Sequence, residues 1–246
     1  MNGRPWPDTL ALSISLDSAG TKLPNRSVAL SLEAVDSAGA SIDSVYGHFH
    51  RAQPGIHKPV GRLSATTVNT GSNGVARVLF RAGTVAGPVV LRAQSTGARE
   101  ASDTIHVGVF GLVPLVQRAT DTLIGATSRH PVNHYGIGAT VDRLNVLADS
   151  VYARYRRRLF YNDLSLRFGG RFDRDTNWAG PHDEHRTGRD ADVRTDGFGG
   201  LTPRQRQFVR RTWLILGGTV HDETVNPDST PNTINPHYYL RYRGRE

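Results

Sequence analysis

The sequence predicts two domains of different class: an all-β sandwich over residues 8–108, then an α+β domain over residues 109–246. Three observations carry this prediction. Short alternating apolar and polar runs, punctuated by turn residues, fill the first half with no helical stretch. Beyond a Gly- and Pro-bearing boundary at 108–115, apolar residues recur at helical spacing. The chain of 246 residues is also long enough for two cores.

In chain order, residues 10–16 (LALSISL) alternate as a half-buried strand does, and Asp17-Ser18-Ala19-Gly20 is a turn. Residues 27–35 form a second alternating run, closed by similar turn chemistry at 36–39. Further strands are expected over 74–80, 88–93 and 104–107. Several short strands at turn-punctuated spacing suggest an immunoglobulin-like sandwich. The stretches GSNGVARVLF (71–80) and AGPVVLRA (86–93) resemble bacterial Ig-like domains of the Big type. Within this half, His48 and His50 would share one face of a strand about 6–7 Å apart, and His57 follows; the pair is a candidate metal site or a polar loop.

In the second half, His130 and His134 fall in a loop and read as structural. Leu144, Leu147, Val151, Tyr155 and Leu159 stand at three- and four-residue steps, which predicts an amphipathic helix over 140–159. Residues 162–173 read as a strand and turn. Thr202-Pro203-Arg204-Gln205 has the form of a helix start, with an N-cap Thr, Pro in the first turn and Gln completing a capping box. The helix runs from Leu201 to Leu216, where Gly217-Gly218 ends it. A strand begins near Thr219, and His237–Tyr242 forms the last strand.

Between these helices lies the densest group of ligand-type side chains, NWAGPHDEHRTGRDADVR over 177–194. Its spacing His185-x6-Asp192, with Gly188 between, suits a turn entering a strand that aims an imidazole and a carboxylate at one point. Both groups are zinc ligands, and a catalytic zinc takes three protein ligands and a water. The block resembles the His-x-x-Gly-x-Asp-x-Asp signature of LAS-type zinc peptidases, nearest to penicillin-insensitive murein endopeptidases. That resemblance implies His185 and Asp192 as metal ligands, Asp190 as a catalytic acid, and a third ligand from a C-terminal His-x-His. This chain has His237-Tyr238-Tyr239-Leu240-Arg241 there, so the expected ligand position is Tyr239 and the expected proton-transfer residue is His237.

Tyr239 leaves three readings open. In the first, a phenolate completes the zinc site with His237 as base. In the second, the strand shifts so that His237 ligates and His182, Glu184, Asp190 or His221 serves as base. Otherwise the domain is a degenerate, non-enzymatic wall-binding or adhesin-like module. The active reading implies a zinc-dependent hydrolase of peptidoglycan cross-links or stem peptides, with Arg186 or Arg241 holding a substrate carboxylate. Asp173, Asp175, Asn177 and Glu184 have EF-hand spacing, but Trp178 occupies the position that demands Gly, so calcium is not expected.

Net charge is +8, carried almost wholly by Arg and spread over both halves: 10 basic and 7 acidic residues up to 108, then 20 and 15. Such a balance favours a polyanionic partner (nucleic acid, an anionic cell-wall polymer or a membrane surface). With no basic tail and a signature block that nucleic-acid binding does not explain, nucleic acid is not the expected partner, and the resemblance implies the cell-wall polymer. The chain has no Cys, and no apolar run approaches a membrane span. The N-terminus lacks a signal pattern, so either the protein stays inside or its leader is missing from the sequence. Because both halves look extracellular, a secreted, periplasmic or surface protein is expected.

Overall fold

The computed structural model describes residues 9–35, 44–50, 55–178, 184–197, 200–225 and 235–244. These are mostly β, with two α-helices among the described residues. The chain divides into two compact units, with residues 44–50 grouped with 109 onward rather than with the first half.

The first unit contains β1 (Thr9–Ser15), β2 (Asp17–Ser18), β3 (Thr21–Lys22), β4 (Ser27–Ala34), β5 (Arg62–Leu63), β6 (Thr67–Asn69), β7 (Val75–Arg81), β8 (Gly87–Gln94) and β9 (Ala101–Val107). The turn expected at 17–20 is part of a β2–β3 hairpin. Ala19 and Gly20 both have positive φ, 50° and 82°, as a tight turn matched to strand twist requires. Two antiparallel sheets form, ordered β1-β7-β5 and β6-β4-β8-β9. In β4, Val28 and Leu30 are buried while Ser27, Ala29 and Ser31 are exposed. The inward residues meet Val78 of one sheet and Leu91 of the other in a shared core. Alternation therefore becomes a sandwich because each sheet has one apolar face to cover.

The second unit contains β10 (Val113–Pro114), β11 (Asp121–Leu123), β12 (Tyr135–Gly136), α1 (Gly138–Tyr155), β13 (Leu159–Tyr161), β14 (Asp190–Arg194), α2 (Pro203–Ile215), β15 (Gly218–Asp222) and β16 (His237–Tyr242). A 3₁₀ turn, Glu184–Arg186, precedes β14. Two expectations are corrected. Helix α1 stops at Tyr155 because Arg156 takes the left-handed conformation (φ 52°), and Leu159 opens a strand instead of closing the helix. Residues 162–173 form no named strand: Leu164, Ser165 and Leu166 are buried in succession rather than alternately.

The main sheet runs β11-β13-β14-β16-β15, with β11 and β13 parallel and the other pairs antiparallel. Ala191, Val193, Tyr238, Leu240 and Tyr242 point to one face, where α1 supplies Leu144, Leu147 and Val151 and α2 supplies Val209 and Trp213. Full burial of each such Leu or Val is worth about 1.5–3 kcal/mol. Two side-chain bonds fix this layer: Tyr161 Oη donates to Leu144 O at 2.6 Å, and Trp213 Nε1 donates to Thr219 O at 3.1 Å. The α2 capping box is present as expected, Thr202 Oγ1 accepting from Gln205 N at 3.3 Å and Gln205 Oε1 accepting from Thr202 N at 2.9 Å. Since side chains alternate along a strand, the residues between the core positions face the other way. The β14–β16 register pairs Asp190 with Arg241, Asp192 with Tyr239 and Arg194 with His237, so all six share the face away from the helices.

Candidate functional site

On that face the structure joins three residues through one oxygen. Asp192 Oδ2 lies 3.3 Å from His185 Nε2 and 3.6 Å from His237 Nε2. The His237 Nδ1 is 2.7 Å from Asn235 O. A carbonyl only accepts, so Nδ1 carries the proton, and in the neutral ring Nε2 is left with its lone pair directed at carboxylate oxygen. Glu223 Oε2 approaches the same nitrogen at 3.3 Å. Ligand-type atoms of His185, Asp192, His237 and Glu223 thus follow one another at 3.3–3.6 Å, and the two carboxylates favour a positive charge among them. His185 and Asp192 are buried, whereas the His237 and Glu223 side chains are 12% and 40% exposed, so the group is open to solvent on one side.

The electrostatics agree. Burial alone lowers the His185 pKa, but Asp192, Asp163 and Asp190 outweigh it and raise the imidazole to about 9. Asp163 is pushed up to about 6, first by burial, with Asp192 adding to the rise and His185 opposing it. Its carboxylate accepts from Asn133 Nδ2 and from Asn162 Nδ2, and its peptide oxygen accepts from Asp192 N at 2.9 Å. Asp163 therefore stands behind the pair as a buried supporting acid.

Tyr239 is engaged elsewhere. Its hydroxyl accepts from Arg241 Nη2 at 2.6 Å, and its ring stands edge-on to His185 at 5.7 Å. Burial, then the Asp190 charge, pushes the phenol well above its ordinary value. Arg241 Nε donates to Asp190 Oδ1 at 2.6 Å, which raises the guanidinium and holds Asp190 in an ion pair. Arg186 lies half-buried in the 3₁₀ turn beside His185. Among the alternative bases, Glu184 is exposed in that turn, His221 is exposed opposite Tyr239 on β15, and His182 lies outside the described residues.

A second cluster forms within the same unit. His48 and His50, in non-strand backbone, meet His130 and Asp173, and their ligand-type atoms all lie within 4.8 Å of one another. This cluster can hold a metal ion. The fold brings to the His48 and His50 pair an acid that is distant in sequence, Asp173, a member of the acidic group with EF-hand spacing. Burial favours its neutral form, but hydrogen bonds from His130, His48 and His50 prevail and hold it well below the usual carboxylate range. His134, by contrast, is 2.8 Å from Ile124 O and fills a structural role.

Sequence reasoning assigned no role to Glu223 or Asp163. Glu223 is placed by pairing, its N–H donating to His237 O at 3.0 Å, and no local pattern reveals that register. No family model and no curated protein matches the chain. A solved structure of the C-terminal 282-residue fragment of intimin, in complex with the intimin-binding domain of the translocated intimin receptor, is similar at 13% identity and a TM-score of 0.27. The match covers 48% of this chain and 36% of that one, a likeness too distant to assign a fold or a function. No helix among the described residues is long and apolar enough to cross a membrane.

Proposed function

We propose that the second unit is a zinc-dependent peptidase acting on peptidoglycan cross-links or stem peptides, and that the first is an Ig-like accessory domain. The observation that carries the reading is the convergence of His185 Nε2 and His237 Nε2 on Asp192 Oδ2, with the His237 tautomer fixed by Asn235 O. In this assignment His237, not Tyr239, is the third ligand. Two imidazoles and a carboxylate, buried on one side and open on the other, are the donor types of a catalytic zinc. Bound there, zinc would supply the Lewis acidity that activates water and polarises a scissile carbonyl. Glu223, within 3.3 Å of His237 and partly exposed, is placed to take a proton from water entering on the open side. Asp163 adds negative charge beside His185 and Asp192, and the Asp190–Arg241 pair fixes Tyr239 beside them. Arg241, a third exposed, and Arg186 would meet a substrate carboxylate.

The test is digestion of purified peptidoglycan, with released muropeptides resolved by chromatography and zinc measured per chain. His185→Ala, Asp192→Asn and His237→Ala should each lower turnover about a thousandfold or more, the equivalent of several kcal/mol. Full turnover in His237→Ala would remove it from the ligand set. Zinc binding without turnover in the parent would favour a wall-binding module over an enzyme.

A further inference from the structure

We propose that His48, His50, His130 and Asp173 form a second zinc centre, closed and structural, that clips residues 44–50 to the loops bearing His130 and Asp173. Asp173 Oδ1 lies 3.1 Å from each of His48 Nδ1, His50 Nε2 and His130 Nε2, and His48 Nδ1 is 3.4 Å from His50 Nε2. Four of the six donor–donor distances are therefore 3.1–3.4 Å, close to the edge of roughly 3.3 Å that a tetrahedron with zinc bonds of about 2.0 Å requires, and all four donors lie within 4.8 Å of one another. Three ring nitrogens and one oxygen are a zinc donor set, with no thiolate needed.

Burial decides between a structural and a catalytic role. His48 and His130 are each 1% exposed, Asp173 is fully buried and the His50 side chain is 5% exposed, which leaves little access for water or substrate. Aromatic rings form the wall: Trp178 lies 4.9 Å from His48 and 4.8 Å from His50, and Phe172 lies 4.7 Å from His130. Trp178 N donates to Asp173 Oδ2 at 2.8 Å, which turns Oδ1 toward the three nitrogens as an outer-shell partner of a ligating carboxylate does. The segment is seated independently of any metal by Phe49 N donating to Arg129 O at 2.8 Å. The ion would therefore lock a preformed contact.

The test uses the full chain carrying His185→Ala and His237→Ala, which removes the other candidate site, with its fold checked against the parent by circular dichroism. After metal removal and zinc addition, it should retain one zinc per chain. X-ray absorption should show four nitrogen or oxygen ligands at about 2.0 Å, and a chelator should lower its Tm. In the parent, His50→Asn should lower zinc by one equivalent. A folded double variant that takes up no zinc, or holds it among several waters, overturns the proposal, as does unchanged zinc in His50→Asn. One zinc in the parent, lost with His50→Asn and kept by His185→Ala, would retain this centre while refuting the catalytic one.

Discussion

A phenol binds a metal as phenolate, so Tyr is a useful ligand only where its pKa is brought down. Tyr239 sits in the reverse environment, buried beside Asp190, and its hydroxyl already accepts from Arg241. Tyr239→Phe should therefore leave zinc affinity within about threefold of the parent, while loss of the hydrogen bond costs about 1 kcal/mol of stability. Competition with a chromophoric chelator and urea unfolding would read the two effects separately. A hundredfold fall in affinity would restore Tyr239 as a ligand. His185, Asp192 and the shared face of 237, 239 and 241 were all legible in the sequence. That His237 comes within 3.6 Å of Asp192 Oδ2 while the Tyr239 hydroxyl turns to Arg241 was not, because it depends on the β14–β16 register and on the carbonyl of Asn235.

At the scale of elements, the turn between His185 and β14 depends on Gly188. Its φ is 68°, and a Cβ there would stand 2.7 Å from Leu112 Cδ2 and 2.9 Å from Gly136 Cα. Its carbonyl also accepts from Ile137 N, the residue that caps α1. Gly188→Ala should cost about 1–2 kcal/mol for the left-handed backbone alone, and more for the contact with Gly136. Gly197→Ala is the control: φ is 55°, with nothing within 4 Å of the added carbon, so only the backbone cost applies. Urea unfolding of both variants should show Gly188→Ala the more destabilised, and equal losses would deny the close approach a role. The turn and α2 were readable because Gly, the capping Thr and Pro act locally. Strands β10 to β13 were not, since two or three residues show no period. The end of α1 was hidden by Leu159, which continues the helical spacing by coincidence while belonging to the next strand.

For the whole molecule, what escapes a sequence reading is what distant segments bring together. His50 and Asp173 are 123 positions apart and His130 and Asp173 are 43 apart, so their meeting is set by the tertiary fold and by no motif. The same fold makes stability depend on pH through His134. This ring bonds to Ile124 O, and burial lowers its pKa below the ordinary 6.5. As pH falls through 6.5 the unfolded chain takes up a proton that the folded ring refuses, so the unfolded state gains. The contribution of His134 is thus complete above about pH 6.5 and declines below it until the folded pKa is reached, by about 1.4 kcal/mol per pH unit across that window. His134→Gln can keep a side-chain donor for Ile124 O without titrating. Urea unfolding at several values between about pH 7.5 and 5 should give a shallower loss of stability in the variant than in the parent. Both proteins keep the His48, His50 and His130 cluster, so the difference in slope isolates His134. Parallel curves would mean that the folded ring protonates as readily as the unfolded one.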